Sequence, residues 1–360
     1  MDNITHTLAG AALGEAGLKK LTGLGMATLM ISANIPDVDA AVMFFGDQLP
    51  FRRGWTHGPI GILLLPPLLA AVMLGFDRLQ TRWRKRPASR LPVRPWQLLL
   101  LAYIGALSHP FLDWLNNYGI RLLMPFSHEW FYGDAIFIID PWIWLTLGAG
   151  IFVARRRQRG NHPAPSRPAI VALAVVTIYI ALMIGGSRMA SEMATNEIEA
   201  QGMGPVERLM AGPVPINPLR REIIYDRGPD YGIGMLTFGP SPSIVLDPEM
   251  VQKNDHHPLA LAAMRKPEIQ GFLYWSRFPF FEIEDGAAGA TVHVRDLRYS
   301  RSQVGNWASR SVEVGPGDGG ELPGRTGDWS ETRVTPASET LHVRTVEAML
   351  SAAWSSGLRN

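Results

Sequence analysis

The chain has 360 residues, no cysteine and a formal net charge of +2. The lack of cysteine excludes disulfide scaffolds, thiolate metal sites and cysteine nucleophiles. Residues 1–187 hold 10 of the 32 acidic residues and residues 188–360 hold 22, whereas the basic residues divide 17 and 17. The first half is therefore apolar and basic, and the second is acidic with the composition of a soluble protein. These halves exclude a single uniform globular domain and a largely disordered chain.

Apolar stretches in the first half predict membrane-embedded helices. The clearest is 168–187, whose 20 uncharged residues are enough to cross about 30 Å of hydrocarbon. The other stretches, in chain order, are 4–18, 21–45, 58–76, 96–112 and 135–154. We interpret the first two as a helical pair that is at least partly embedded. The first half is thus expected to be a mainly α membrane bundle of about four to six embedded helices.

Basic residues in the loops indicate the orientation of these helices. The loop 77–95 carries seven basic residues and the loop 155–167 carries five, whereas 113–136 carries Arg121 alone. The positive-inside rule places the first two loops in the cytoplasm and 113–136 outside. The chain after residue 187 is then outside as well. We expect a multi-pass protein of the bacterial inner membrane with a periplasmic C-terminal domain.

The second half has the pattern of a soluble α+β domain. Short β-branched and aromatic segments predict strands at 222–225, 232–238, 243–246, 279–283 and 291–294. Helices are predicted at 258–265 and 345–355, and a Gly-rich loop at 315–330. We therefore divide the chain into a membrane domain, 1–188, and a soluble domain, 189–360.

The predicted orientation gathers the histidines before residue 140 and several acidic residues of the first half at its outer face. Those residues are His6, Asp37, Asp39, His57, His109, Asp113, His128, Glu129, Asp134 and Asp140. Ionisable groups in a membrane are costly unless they are paired or bind a metal, so they mark functional sites. His109 and Asp113 are four residues apart and share one helical face. Histidines and carboxylates from several helices suit zinc or a similar divalent ion.

Four segments that carry these residues resemble the YdjM-like family of bacterial inner-membrane proteins, described as metal-dependent hydrolases. The segments are 2–7, 35–39, 53–57 and 107–113. The resemblance covers roughly residues 1–155, and the ordered set of four is specific although each segment alone is not. The family is thought to be distantly similar to zinc-dependent phospholipases C and single-strand nucleases.

The resemblance implies a site for one or two divalent ions, with zinc as the expected metal. The predicted ligands are His6, Asp39, His57, His109, Asp113 and His128. The carboxylates predicted to act as general base are Asp37, Asp134 and Asp140.

Several of these roles have alternatives. Either Asp37 or Asp39 could be the ligand, because each follows Pro36 and could instead cap a helix; Asp39 is the first choice. Asp134 and Asp140 could orient ligand histidines rather than react. His128 is balanced between a ligand and a residue of a solvated loop.

The expected function is a membrane-bound hydrolase that attacks a phosphoester with metal-activated water. Its expected partners are the lipid bilayer and a phospholipid or lipid-linked substrate, without nucleic acid. The alternative is a non-catalytic membrane protein: a transporter, or a metal-stapled bundle with a periplasmic binding domain.

Overall fold

The structure is a computed structural model that describes residues 1–44, 52–286, 289–300 and 308–315. The predicted helix at 345–355 lies outside the described residues, as does all but the first residue of the predicted loop at 315–330.

The first of two compact units comprises residues 1–204, 209–223 and 234–245. Its helices are α1 Asn3–Glu15, α2 Gly25–Ser32, α3 Pro59–Arg82, α4 Pro95–Trp114, α5 Pro141–Arg159 and α6 Arg167–Ala200. Two 3₁₀ helices, Leu18–Lys20 and Ile35–Phe44, flank α2. The predicted helical stretches are therefore helical in the structure, with one correction to a boundary.

That correction concerns α5, which begins at Pro141 and not at residue 135 as predicted. Asp140 caps the helix, because its Oδ1 accepts hydrogen bonds from the backbone N–H groups of Trp142 at 2.9 Å and Ile143 at 3.0 Å. A capping side chain satisfies donors that the first turn leaves free. Apolar composition alone does not reveal this cap, so the prediction started the helix too early.

Two described helices, α3 and α6, are long and apolar enough to cross a membrane. Both expose large apolar side chains, such as Leu64 and Val72 in α3 and Ile178 and Leu182 in α6. The wider prediction of four to six embedded helices stays a prediction.

Close packing of α2 against its neighbours positions the residues of the site. A Cβ at Gly10 of α1 would lie 2.7 Å from the carbonyl oxygen of Leu29, and a Cβ at Gly105 of α4 would lie 2.8 Å from the same oxygen. Only glycine permits such an approach on both sides. As a result, Ala33 at the end of α2 reaches His109 of α4.

Apolar contacts hold the other helices of this unit. Leu98 and Ala102 of α4 pack with Leu69 and Met73 of α3. A second group of buried side chains joins α1, α4, α5 and α6. The helices that carry the site are thus fixed by packing along their lengths.

Two sheets follow among the described residues of the second half. Their strands are β1 Arg208–Pro213, β2 Arg220–Asp226, β3 Asp230–Thr237, β4 Ser243–Leu246, β5 Val251–Gln252, β6 Pro279–Asp285, β7 Ala290–Asp296 and β8 Ser309–Val314. The first sheet has the order β1-β2-β3-β4, with β5 paired to β3, and the second has the order β6-β7-β8. The helices of this half are α7 Pro258–Ala263, α8 Pro267–Trp275 and α9 Leu297–Ser300.

The five predicted strands are confirmed, as is a helix from Pro258. The sequence does not predict β1, β5, β8, α8 or α9; in β1, Gly212 and Pro213 are residues that strands disfavour. The second compact unit comprises residues 205–208, 224–233 and the described residues from 246 onward. Its buried side chains include Phe272, Trp275 and Val292.

Candidate metal centre

Four side chains of the first unit converge on one point. Asp37 comes from the 3₁₀ helix, His57 from the loop before α3, and His109 and Asp113 from α4. One ligand atom from each lies within 4.8 Å of all the others. His57, His109 and Asp113 are at most 1% exposed. We call these four residues the Asp–His cluster.

The distances within the Asp–His cluster match those between ligands of one metal ion. The Nε2 atoms of His57 and His109 are 3.1 Å apart, and Asp113 Oδ2 lies 3.5 and 3.4 Å from them, respectively. Asp37 Oδ1 lies 3.7 Å from each Nε2. Ligands placed tetrahedrally at zinc bond lengths are about 3.3–3.6 Å apart. The cluster therefore has the size of a single metal site.

Hydrogen bonds to the outer nitrogens fix how the two histidines face the centre. His109 Nδ1 lies 2.7 Å from the carbonyl oxygen of Ala33, which can only accept, so Nδ1 carries the proton. His57 Nδ1 lies 3.0 Å from Thr56 Oγ1 and 3.4 Å from Asp39 Oδ2. A proton on His57 Nδ1 can be donated to either of these oxygens, and in that neutral tautomer the Nε2 atoms of both rings present lone pairs to each other. Two lone pairs cannot form a hydrogen bond, whereas a cation between them satisfies both.

The two carboxylates also present unsatisfied atoms to the centre. Asp37 Oδ1 and Asp113 Oδ2 are buried and accept no hydrogen bond. Arg53 Nε lies 3.0 Å from Asp113 Oδ2 as an ion pair, but without the alignment of a hydrogen bond. Buried polar atoms of this kind are rare in native proteins and call for an explanation. Two nitrogen and two oxygen donors fit a divalent ion of the zinc type.

His6 lies beside the Asp–His cluster rather than within it. Its ring stacks on that of His109, with centroids 3.8 Å apart, and its Nε2 lies 3.2 Å from Asp113 Oδ1. Asp113 directs Oδ2 towards the cluster, whereas its Oδ1 faces His6 and accepts a hydrogen bond from the N-terminal amine of Met1. The number of ions, one or two, stays a prediction.

Asp39 lies behind His57, outside the cluster, although the sequence favoured it over Asp37 as the ligand. It accepts a hydrogen bond of 2.6 Å from the backbone N–H of Arg53 and one of 3.3 Å from Arg52. The reason is the 3₁₀ helix, in which a step of two residues turns by about 240°, so that the two side chains point about 120° apart. Only one of the two carboxylates can face the centre.

Three further predicted residues lie outside the Asp–His cluster. His128 is exposed. Asp140 caps α5 with Oδ1 and accepts a 2.8 Å hydrogen bond from the hydroxyl of Tyr179 with Oδ2. Asp134 is partly buried and has a positive φ of 48°, and its carboxylate is not among the four convergent groups.

Sequence reasoning assigned no role to two arginines at the site, Arg52 and Arg53. Arg53 is 4% exposed and donates hydrogen bonds of 3.1 Å to Asn116 Oδ1 and to the carbonyl oxygen of Gly119. Its guanidinium lies 4.5 Å from the ring centroid of Tyr118. The available signal was their position, since the positive-inside rule disfavours two adjacent arginines in a predicted outer segment.

A family model matches the part of the chain that holds the cluster, and one relative matches most of the chain. The model of the YdjM inner membrane protein family matches residues 1–189. The chain is 23% identical over 311 residues to a Bacillus subtilis (strain 168) protein named "Uncharacterized protein YfhP", across 83% of this chain and 87% of the relative. No solved structure matches. The whole Asp–His cluster and His6 lie within the family match.

Proposed function

This chain belongs to the YdjM inner membrane protein family, and on that premise we propose that it is a membrane-bound hydrolase whose Asp–His cluster holds a divalent metal ion, with zinc as the expected metal. The observation that carries the proposal is the convergence of two histidine nitrogens with two buried carboxylate oxygens that accept no hydrogen bond. The proposed reaction is hydrolysis of a phosphoester in a lipid or a lipid-linked substrate.

A divalent ion bound at such a site supplies Lewis-acid polarisation and an activated water. The protein's own contribution is to orient the ligands. Ala33 holds the ring of His109 through Nδ1, and Asp39 and Thr56 face Nδ1 of His57. Partners of this kind fix the ring orientation and raise the basicity of the ligand nitrogen.

Asp37 has two proposed roles that experiment can separate. Its side chain is 9% exposed, whereas that of His57, His109 or Asp113 has no exposure. It can therefore bind the ion from the open side of the cluster, or take a proton there as general base. Asp37→Asn that loses the metal would assign it as a ligand. Asp37→Asn that keeps the metal but loses turnover would assign it as the base.

Exposed apolar side chains in the segments that carry the cluster support an amphiphilic substrate. Ile4, Val38, Trp55 and Phe111 are each one or two residues along the chain from a residue of the site, and they are 54%, 54%, 52% and 49% exposed. Exposed apolar side chains of this kind can contact a ligand or a membrane. These segments are therefore suited to contact the acyl part of a lipid.

The proposed orientation places the cluster and the C-terminal domain on the periplasmic side of the inner membrane, in a multi-pass chain. Its support is the excess of basic residues in the loops 77–95 and 155–167. Protease added to intact spheroplasts should cleave within the described residues from 246 onward. Protection of that region until the cells are lysed would reverse the orientation.

Hydrolysis is tested with the full chain purified in detergent. Metal content is measured by elemental analysis, and turnover is measured with bis(p-nitrophenyl) phosphate and with phospholipid in mixed micelles. His109→Ala should lose both metal and turnover, whereas the matched control His128→Ala should keep both, because His128 is exposed and outside the cluster. Equal metal content in the two variants would reject the metal centre.

A structural metal site is the second candidate function. It is favoured by the number of convergent groups, since four protein ligands can complete tetrahedral coordination and leave no open position. In that case the protein would bind metal and lose thermal stability on chelation, but would hydrolyse neither substrate.

A further inference from the structure

Three arginines lie around the Asp–His cluster, and one of them differs from the other two. Arg53 and Arg121 are 4% and 1% exposed. Arg53 uses its guanidinium on Asn116 and Gly119, and Arg121 donates a 2.8 Å hydrogen bond to the carbonyl oxygen of Arg52 and lies over the ring of Trp130. The side chain of Arg52 is 20% exposed.

The guanidinium of Arg52 is close to the cluster but loosely held. One nitrogen lies 3.3 Å from Asp39 Oδ1 and another lies 3.6 Å from Asp37 Oδ1. Charge-assisted hydrogen bonds of arginine are shorter, at about 2.7–2.9 Å. The backbone at this point is held more firmly. Arg121 donates a hydrogen bond to the carbonyl oxygen of Arg52, and Asp39 accepts one from the N–H of Arg53. The structure thus places the guanidinium of Arg52 beside the proposed metal ligands while leaving part of its hydrogen-bonding capacity unused.

The charges around the cluster favour a negatively charged ligand. The side chains of Asp37, Asp39, Asp113, Arg52 and Arg53, with neutral histidines, sum to one negative charge before the N-terminal amine of Met1, which pairs with Asp113, is counted. A divalent ion makes the total positive whether or not that amine carries a charge. A site with a net positive charge and restricted access to water attracts and retains anions.

We propose that Arg52 binds a negatively charged oxygen of the substrate beside the ion, so that the site selects anionic esters such as phosphodiesters over neutral esters. This inference rests on the proposed function. Asp37 links Arg52 to the proposed metal site, because its Oδ1 faces both the histidine nitrogens and the guanidinium of Arg52. Once that oxygen binds an ion, its charge is shared and it holds Arg52 less strongly. The planar fork of arginine then matches two oxygens of a phosphoryl group.

The test measures anion binding separately from turnover. The full chain in detergent is loaded with Co²⁺, whose visible spectrum reports its ligands, and is titrated with inorganic phosphate. Arg52→Gln should bind Co²⁺ within about threefold of the unsubstituted protein but bind phosphate at least about tenfold more weakly, which is about 1.4 kcal/mol. Arg52→Lys should retain part of the phosphate affinity, because it keeps the charge but loses the fork.

Matched controls separate this inference from a general loss of charge. Arg157→Gln removes an exposed arginine near the end of α5 and should leave phosphate binding unchanged. A short-chain phospholipid in place of inorganic phosphate shows whether a lipid headgroup depends on Arg52 as free phosphate does. Turnover of bis(p-nitrophenyl) phosphate should fall in Arg52→Gln, whereas any turnover of neutral p-nitrophenyl acetate should not.

The outcomes distinguish the two proposals. Equal phosphate affinity in Arg52→Gln and the unsubstituted protein, with Co²⁺ bound in both, would overturn the role of Arg52 and leave the metal centre standing. Loss of Co²⁺ from Arg52→Gln and Arg52→Lys alike would also overturn it, by showing that Arg52 supports the cluster. Failure of the unsubstituted protein to bind Co²⁺ would overturn the proposed function and this inference with it.

Discussion

Two carboxylates with no exposure, Asp113 in α4 and Asp296 at the end of β7, lie in opposite settings. Arg298 donates to both oxygens of Asp296, with Nε and one terminal nitrogen each at 2.8 Å. Ser276 and the backbone N–H of Arg277 donate further hydrogen bonds of 2.6 and 2.8 Å. Asp113 Oδ2, in contrast, accepts no hydrogen bond and faces two histidine nitrogens.

The difference separates a buried carboxylate whose two oxygens are both hydrogen-bonded from one that has an oxygen without a hydrogen bond. Asp296 has its charge balanced and its oxygens satisfied within its own unit, so it needs nothing further. The oxygen of Asp113 that accepts no hydrogen bond belongs to the same cluster as a second such carboxylate oxygen, that of Asp37. Burial alone does not identify a functional carboxylate, and the accounting of its partners does.

The largest expected effects come from replacing each carboxylate by its amide. Asp113→Asn should reduce metal content to background, a loss of more than about 100-fold in affinity, because outer partners alone give about 10–100-fold. Asp296→Asn should keep the metal but destabilise its unit by about 3–5 kcal/mol, because it leaves Arg298 buried without a counter-charge. Elemental analysis and denaturant melts of the full chain measure the two effects. The comparison fails if both variants lose metal equally or if neither does.

Metal removal should destabilise only the protein that contains the complete cluster. At a free metal concentration of about 100 times its Kd, binding stabilises the folded state by about 2.7 kcal/mol. Adding a chelator should therefore lower the Tm of the unsubstituted protein and of Asp296→Asn, but not that of Asp113→Asn. A chelator effect of the same size in Asp113→Asn would place the metal elsewhere.

Asp39→Asn tests the partner behind His57. Its carboxylate lies 3.4 Å from His57 Nδ1, so the substitution should weaken metal binding by about 10–100-fold without abolishing it. Metal titrations of Asp39→Asn and Asp37→Asn should give clearly different affinities. Identical losses in the two variants would contradict the placement of Asp37 alone in the cluster.

The smallest effect is a pH dependence that comes from Asp296. Burial by itself would raise the pKa of Asp296, but the charge and hydrogen bonds of Arg298 hold it below the ordinary value of 3.8. Its contribution to stability is therefore complete above pH 3.8 and is lost as the pH falls through the lower folded-state pKa. Denaturant melts between about pH 5 and pH 3 should show that the free energy of unfolding falls less steeply for Asp296→Asn than for the unsubstituted protein. Parallel profiles would assign the acid sensitivity to other carboxylates.

Much of the site was predictable because the apolar first half of the chain contains few acidic residues and histidines, so that each one is informative. His6, His57, His109 and Asp113 were placed together on the topology that the loop arginines imply, and the structure brings them together. The spacing of His109 and Asp113 puts both on one face of α4, so that part of the cluster is local. The predicted strands depended on composition in the same way.

The sequence by itself determined the apolar helices, the later strands and three of the four cluster residues, because hydropathy and scarce charges are properties of short segments. Only the tertiary structure decided that Asp37 rather than Asp39 faces the centre, because the turn of a 3₁₀ helix sends the two carboxylates in different directions. It also showed that Asp140 is a helix cap and that Arg52 lies beside Asp37. These roles depend on which partners each side chain meets, and those partners are distant in the chain.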